Sequence, residues 1–263
     1  MPHFEESYKK YREKGVHYFA LEGDGLTMPE NQAFAGEWGY SFPIVTLADS
    51  KLSGYDVVTM PSTFVINAFG RVVFQGDGDY EKYIEASLKD APYPYLAKNK
   101  VASECEKAAE AFAKGDYTTA RTLANELLAG EPAEEVAADA SHIVGRCEAF
   151  AKLWRDEADA AKADGRYEDA LSAVENLATH FKGEELGDKA GDEAKELKKD
   201  KDAKAEIKAR KDLAKVLAAN KKLKTKEDKL SALYKFYEKN EGTAAASDAK
   251  AMAEAIKDSK LFK

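Results

Sequence analysis

The stretch from Val57 to Gly76 constrains this chain more than any other. Thr63 to Asn67 and Arg71 to Gln75 are short runs rich in β-branched and aromatic residues, with Ala68-Phe69-Gly70 between them. The pattern predicts two antiparallel strands joined by a tight turn. Glycine closes that turn because it alone reaches positive φ without a Cβ clash. Met60-Pro61 comes just before the first strand, where a residue that cannot donate to a ladder is tolerated.

Met60-Pro61-Ser62-Thr63-Phe64-Val65-Ile66-Asn67-Ala68-Phe69-Gly70-Arg71-Val72-Val73 resembles the second half of a thioredoxin-fold domain, in the manner of thiol–disulfide oxidoreductases and peroxiredoxin-related redoxins. Upstream, Lys14 to Leu21 resembles the family's second strand, Ser41-Phe42-Pro43-Ile44-Val45 its Phe-Pro segment and Gly54-Tyr55-Asp56-Val57 its Tyr-Gly-Val. The resemblance spans residues 1–90. It implies a cis Met60–Pro61 bond, with Met60 and Pro61 lining a substrate groove beside the reactive sulfur.

The family's chemistry rests on a Cys-x-x-Cys pair at the end of the first strand. This chain opens on Met1-Pro2-His3-Phe4-Glu5-Glu6-Ser7-Tyr8, which resembles the helix after that motif. On this reading Met1 is an internal methionine, and the dithiol and its strand lie upstream of residue 1. The absent strand belongs between Val16–Leu21 and Thr63–Asn67. Either these two strands, meant for burial on both faces, close antiparallel or a gap remains; the gap is the expectation, because the flanking helices are shaped around the missing strand. As it stands, the chain is expected to be redox-inactive.

With 263 residues there is room for two domains. The net charge of −8 is concentrated early: residues 1–97 carry 8 Lys/Arg against 14 Asp/Glu, and the remainder 32 against 34. Neither part has the basic footprint of a nucleic-acid binder. No apolar run approaches the roughly 20 residues of a membrane span. No compartment follows, although an extracytoplasmic site would fit a signal lost with the upstream segment.

In order, Phe4, Tyr8 and Tyr11 mark an amphipathic helix stopping near Gly15. Val16 to Leu21 reads as a buried strand. Thr27 caps a helix bearing Pro29, Phe34 and Trp38 and ending at Gly39. Phe42 to Leu47 is a short strand, Ala48 to Tyr55 a weak helix or turn, and Asp79 the N-cap of a last helix carrying Tyr80, Ile84 and Leu88. Residues 91–99, with Pro92, Tyr93, Pro94 and Tyr95, form a stiff linker.

From 100 to 263 the composition turns to Ala, Lys, Glu and Leu, with Pro132 the single proline, and predicts an all-α region. Val101, Cys105, Ala108 and Phe112 make one apolar stripe. Val136, Ala140, Ile143, Cys147, Phe150 and Trp154 make another, five turns long. Gly115-Asp116-Tyr117-Thr118-Thr119-Ala120 and Gly165-Arg166-Tyr167-Glu168-Asp169-Ala170 are similar turns 50 residues apart. They resemble tetratricopeptide repeats, in which the tyrosine packs across a helical hairpin and the alanine admits close approach. A third, diverged unit is suggested by His180-Phe181-Lys182-Gly183 before Ala190 and Lys239-Asn240-Glu241-Gly242 before Ala249.

The fold class expected is therefore an α/β thioredoxin-like domain lacking its first strand, followed by an all-α helical-repeat region. Cys105 and Cys147 lie on apolar stripes and read as buried thiols, not a redox pair. His3, His17, His142 and His180 have no ligand spacing, so no metal or cofactor is assigned. Trp38, Trp154 and the tyrosines read as packing residues. The leading reading is the bulk of a thiol–disulfide oxidoreductase. The alternative is a cysteine-free module that binds proteins or peptides at the Pro61 edge and on the helical repeats. A third reading makes the helical array the working part and the α/β remnant its platform.

Overall fold

A computed structural model describes residues 2–23, 25–46 and 62–259. Helix α1 (Pro2–Tyr11) runs into a 3-10 turn over Arg12–Lys14 that Gly15 ends at φ 84°. Strand β1 (Ala20–Glu22) pairs in parallel with β2 (Ile44–Thr46), placing Leu21 opposite Val45. Between them stands α2 (Met28–Trp38). Its Thr27 side chain accepts from the Glu30 N–H while the Glu30 carboxylate accepts from the Thr27 N–H, a reciprocal cap. Gly39 stops the helix in the left-handed region, as expected.

Strands β3 (Thr63–Ile66) and β4 (Val72–Gly76) form the hairpin expected from the sequence, with a register shift at Val65/Ile66. Its turn is tightened by the Asn67 side-chain oxygen, which accepts from the backbone N–H groups of Phe69 and Arg71, both at 3.0 Å. Helix α3 (Glu81–Lys89) follows. Tyr80, not Asp79, holds its N-cap position, and no side chain caps it. The tyrosine ring is instead buried among Phe4, Tyr18 and Val65.

Two features of the first strand need correction. Of Val16–Leu21 only Ala20 and Leu21 enter a ladder, and the apolar side chains are not buried on both faces. Phe19 is 60% exposed, Leu21 49% and Val45 39%. The reason is visible in the topology: among the described residues, β1 pairs only with β2 and β3 only with β4, in two separate ladders. Leu21 and Val45 are direct partners and share one face, which no described helix covers.

The remainder is helical: α4 (Glu106–Ala113), α5 (Tyr117–Ala129), α6 (Glu134–Ala163), α7 (Tyr167–His180), α8 (Glu185–Lys199), α9 (Lys201–Asn220), α10 (Lys226–Lys239) and α11 (Ala244–Asp258). The stripe from Val136 to Trp154 lies on the single 30-residue helix α6, about 45 Å long. Helices α4 to α8 share one core with fully buried Phe112, Ile143, Leu177 and Phe181. A second core joins α9, α10 and α11 and takes in Ala33 and Phe34 of α2. A third, around Tyr11, Tyr18, Phe42 and Ile84, joins α1, α3 and both ladders. Helix α2 thus touches β2 but packs mainly on α9 and α11, and the Leu21–Val45 face stands open.

Candidate functional site

The groove residues expected from the sequence, Met60 and Pro61, lie outside the described residues, as does the expected helix or turn at Ala48–Tyr55. What the structure does describe is the unit around them in the chain: α1, the start of β1, β3 and the N-terminal end of α3. Its interior is aromatic. Phe4 meets Tyr18 and Phe42 edge-on, with ring centroids 5.0 and 4.9 Å apart.

Polar groups in this unit are mostly matched. Ser7 Oγ and the Tyr18 hydroxyl are 2.7 Å apart. Glu5 is buried, yet its carboxylate accepts from the Ser41 N–H at 2.8 Å and the Ser41 hydroxyl at 2.7 Å, with Lys9 at 2.9 Å. Burial raises the Glu5 pKa, but the Ser41 hydrogen bonds and Lys9 outweigh it and hold the group below its ordinary value. This ties α1 to the entrance of β2. On the other side of α1, the Tyr11 hydroxyl lies 3.0 Å from Glu81 and 2.7 Å from Glu85, and Lys10 bonds both carboxylates.

Burial pushes the Tyr18 phenol up to about 12, and burial with the Glu85 and Glu81 contacts does the same for Tyr11. Both are neutral hydroxyls at physiological pH, suited to holding helices together. The buried Tyr80 hydroxyl, beside Ser7, lacks a well-formed partner. Among the described residues, no group of His, Cys, Asp and Glu could hold a metal ion.

The two cysteines lie far along the chain from this unit. Cys105 and Cys147 are free and fully inaccessible. Cys105 Sγ donates to the Val136 carbonyl at 3.6 Å. Burial pushes the Cys147 thiol up to about 12, and burial with Asp139 raises Cys105. A thiol held protonated is a poor nucleophile. These two are packing residues of the helical core.

In the helical region, Gly115 (φ 77°) and Gly165 (φ 68°) make the two similar turns, and Ala120 and Ala170 are each fully buried. Tyr117 stacks against Phe112, Phe150, Trp154 and His180. His180 Nδ1 donates to the Gly115 carbonyl at 2.6 Å, a structural link between the Gly115 turn and the end of α7. Trp38, expected to pack, is 46% exposed with the Lys221 ammonium 4.4 Å above its ring.

The hairpin, the parallel β1–β2 pair and the helices flanking them fit a partial thioredoxin-like unit joined to a helical region. Comparison with curated proteins supports that class for a third of the chain. Thiol-disulfide oxidoreductase ResA of Bacillus thuringiensis (strain Al Hakam) is 36% identical over 91 residues, 34% of this chain and 52% of the relative. The ResA protein of a Bacillus cereus strain is 33% identical over 99 residues, 37% of this chain and 53% of its own length. That of Bacillus subtilis (strain 168) is 35% identical over 74 residues, 27% of this chain and 40% of the relative. The chain spans about half the length of the first two of these. No family model and no solved structure matches. Among the described residues, no helix is long and apolar enough to cross a membrane.

Proposed function

We propose that this chain is the larger, downstream part of a thioredoxin-like thiol–disulfide oxidoreductase. In this reading residues 1–90 are the thioredoxin-like domain, 91–99 a linker and 100–263 a tetratricopeptide-like array that holds protein partners. The carrying observation is the similarity to the ResA proteins over a third of the chain, together with two separate ladders among the described residues where the family has one sheet. The dithiol belongs to a strand between those ladders and to the turn entering α1. The chemistry is attack by a low-pKa thiolate on a substrate disulfide, then resolution of the mixed disulfide by the second cysteine. Met60 and Pro61, through a cis peptide bond, line the groove for the substrate chain.

The test is to read the coding DNA upstream of residue 1 for an in-frame Cys-x-x-Cys and express the extended protein. Disulfide reductase turnover and a sharp rise in thermal stability are expected together, while the 263-residue chain alone gives no turnover. An extended protein that gains neither overturns the proposal.

A second reading is a cysteine-free module that binds extended peptides at the Pro61 edge. It is favoured by the open apolar face of Phe19, Leu21 and Val45, which a partner strand or helix would cover.

A further inference from the structure

We infer that residues 93–102 are not a passive connection but a clasp that fixes the unit of α1, β1 and α3 against the helical array. The inference does not depend on the redox reading. Two residues of this segment, Tyr95 (φ 65°) and Ala97 (φ 57°), occupy left-handed backbone although neither is glycine. A Cβ is strained in that region, so surrounding contacts must hold it there.

Those contacts come from one face of α6. The buried Asp139 carboxylate pairs with Lys98 and accepts from the Ala102 N–H at 2.6 Å. His142 Nε2 donates to the Leu96 carbonyl at 2.6 Å, and Arg146 Nε donates to the Tyr95 carbonyl at 2.9 Å. Residues 139, 142, 146 and 150 follow helical spacing, so a single face grips the segment along two to three turns. Leu96 is fully buried in the helical core.

Tyr95 carries the contact across. Its ring meets Phe150 of α6 edge-on at 5.6 Å and His17 at 5.7 Å. It also covers Gly15, where a Cβ would come within 3.1 Å of Tyr95 Cζ. Left-handed backbone at Tyr95 is what turns its ring toward Gly15 and His17 while its carbonyl faces Arg146. Phe150 in turn touches Tyr117 and Trp154, so the rings run unbroken from the first strand region to the turn at Gly115.

Two exposed positions, Ala86 on α3 and Lys152 on α6, suit spin labels as Ala86→Cys and Lys152→Cys in the full chain, since both natural thiols are buried. The expected result is one narrow label–label distance distribution, kept by Tyr95→Phe and by Ala97→Gly. Tyr95→Ala should broaden it and raise amide exchange at residues 16–19 by about tenfold, the mark of local opening. Arg146→Ala, which removes the carbonyl contact and the guanidinium over the Phe150 ring but keeps the Tyr95 ring in place, should broaden it less. If Tyr95→Ala and Arg146→Ala both leave the distribution and the exchange unchanged, the packing of α2 on α9 and α11 is what holds the unit and the clasp is refuted. A broad distribution in the unaltered protein refutes it equally.

Discussion

Gly36 of α2 lies so close to Leu217 of α9 that a Cβ at position 36 would stand 2.5 Å from Leu217 Cδ1 and 2.8 Å from Leu217 Cβ. A glycine within a helix normally costs about 1 kcal/mol relative to alanine. Here it permits the close approach of two helices far apart in the chain. Gly36→Ala is therefore expected to destabilise despite its better helix propensity. Overpacking of roughly 1–3 kcal/mol exceeds the propensity gain, because the Leu217 Cβ cannot rotate away. The urea midpoint should fall, and Leu217→Ala should cost less in the Gly36→Ala background than alone. A raised midpoint would show that the approach is looser than described.

The neighbouring Glu37 tests the adjoining contact of α2 with α10. Its carboxylate is buried, with Oε2 3.0 Å from Lys229 Nζ and Oε1 without a hydrogen bond. Lys229→Met strands that charge and should cost about 3 kcal/mol. Adding Glu37→Leu should restore much of the loss, since an apolar pair need not be hydrated. A double variant as unstable as the single would mean that the charges do not face each other.

Tyr18 and Tyr117 are both pushed up to about 12, chiefly by burial. Unfolded phenols ionise near 10, so between about pH 10 and 12 the unfolded chain binds fewer protons than the folded one. Their contribution is fully present below about pH 10 and is lost as pH rises through the folded values. Stability should decline over that window, less steeply in Tyr18→Phe. Absorbance titration at the phenolate band should show late-ionising groups, Tyr11 among them, one of which Tyr18→Phe deletes.

Both thiols should be silent toward an aromatic disulfide reagent at about pH 8 in the native protein and react fully in denaturant, because Cys105 and Cys147 are inaccessible and held protonated. Rapid native reaction of either one would contradict the packed helical core.

Local patterns map onto their elements closely where the deciding contacts are local. The Thr27 cap and Gly39 stop bound α2, the Val136–Trp154 stripe is one helix, and the hairpin of β3 and β4 turns through Gly70. These depend on contacts within a few residues, which periodicity and turn chemistry encode. The N-cap of α3 falls on Tyr80 because burial of its ring outweighs the capping preference of Asp79. The candidate groove at Met60 and Pro61 is legible only through family resemblance, since nothing local distinguishes a groove proline from any strand-opening proline.

The residue pattern alone places most helices and the hairpin strands, puts Cys105 and Cys147 on core stripes, and spreads charge over solvated faces. Long-range packing sets which face of α2 is covered, burying Asn31, Ala33 and Glu37 while Met28 and Trp38 stay exposed. It alone placed Tyr95 between Gly15 and Phe150, and it alone left Leu21 and Val45 uncovered. The reason is physical. An apolar pattern states that a face must be covered, but the covering partner is chosen by shape and charge across the whole chain, as Gly36 and Glu37 meet Leu217 and Lys229 nearly two hundred residues away.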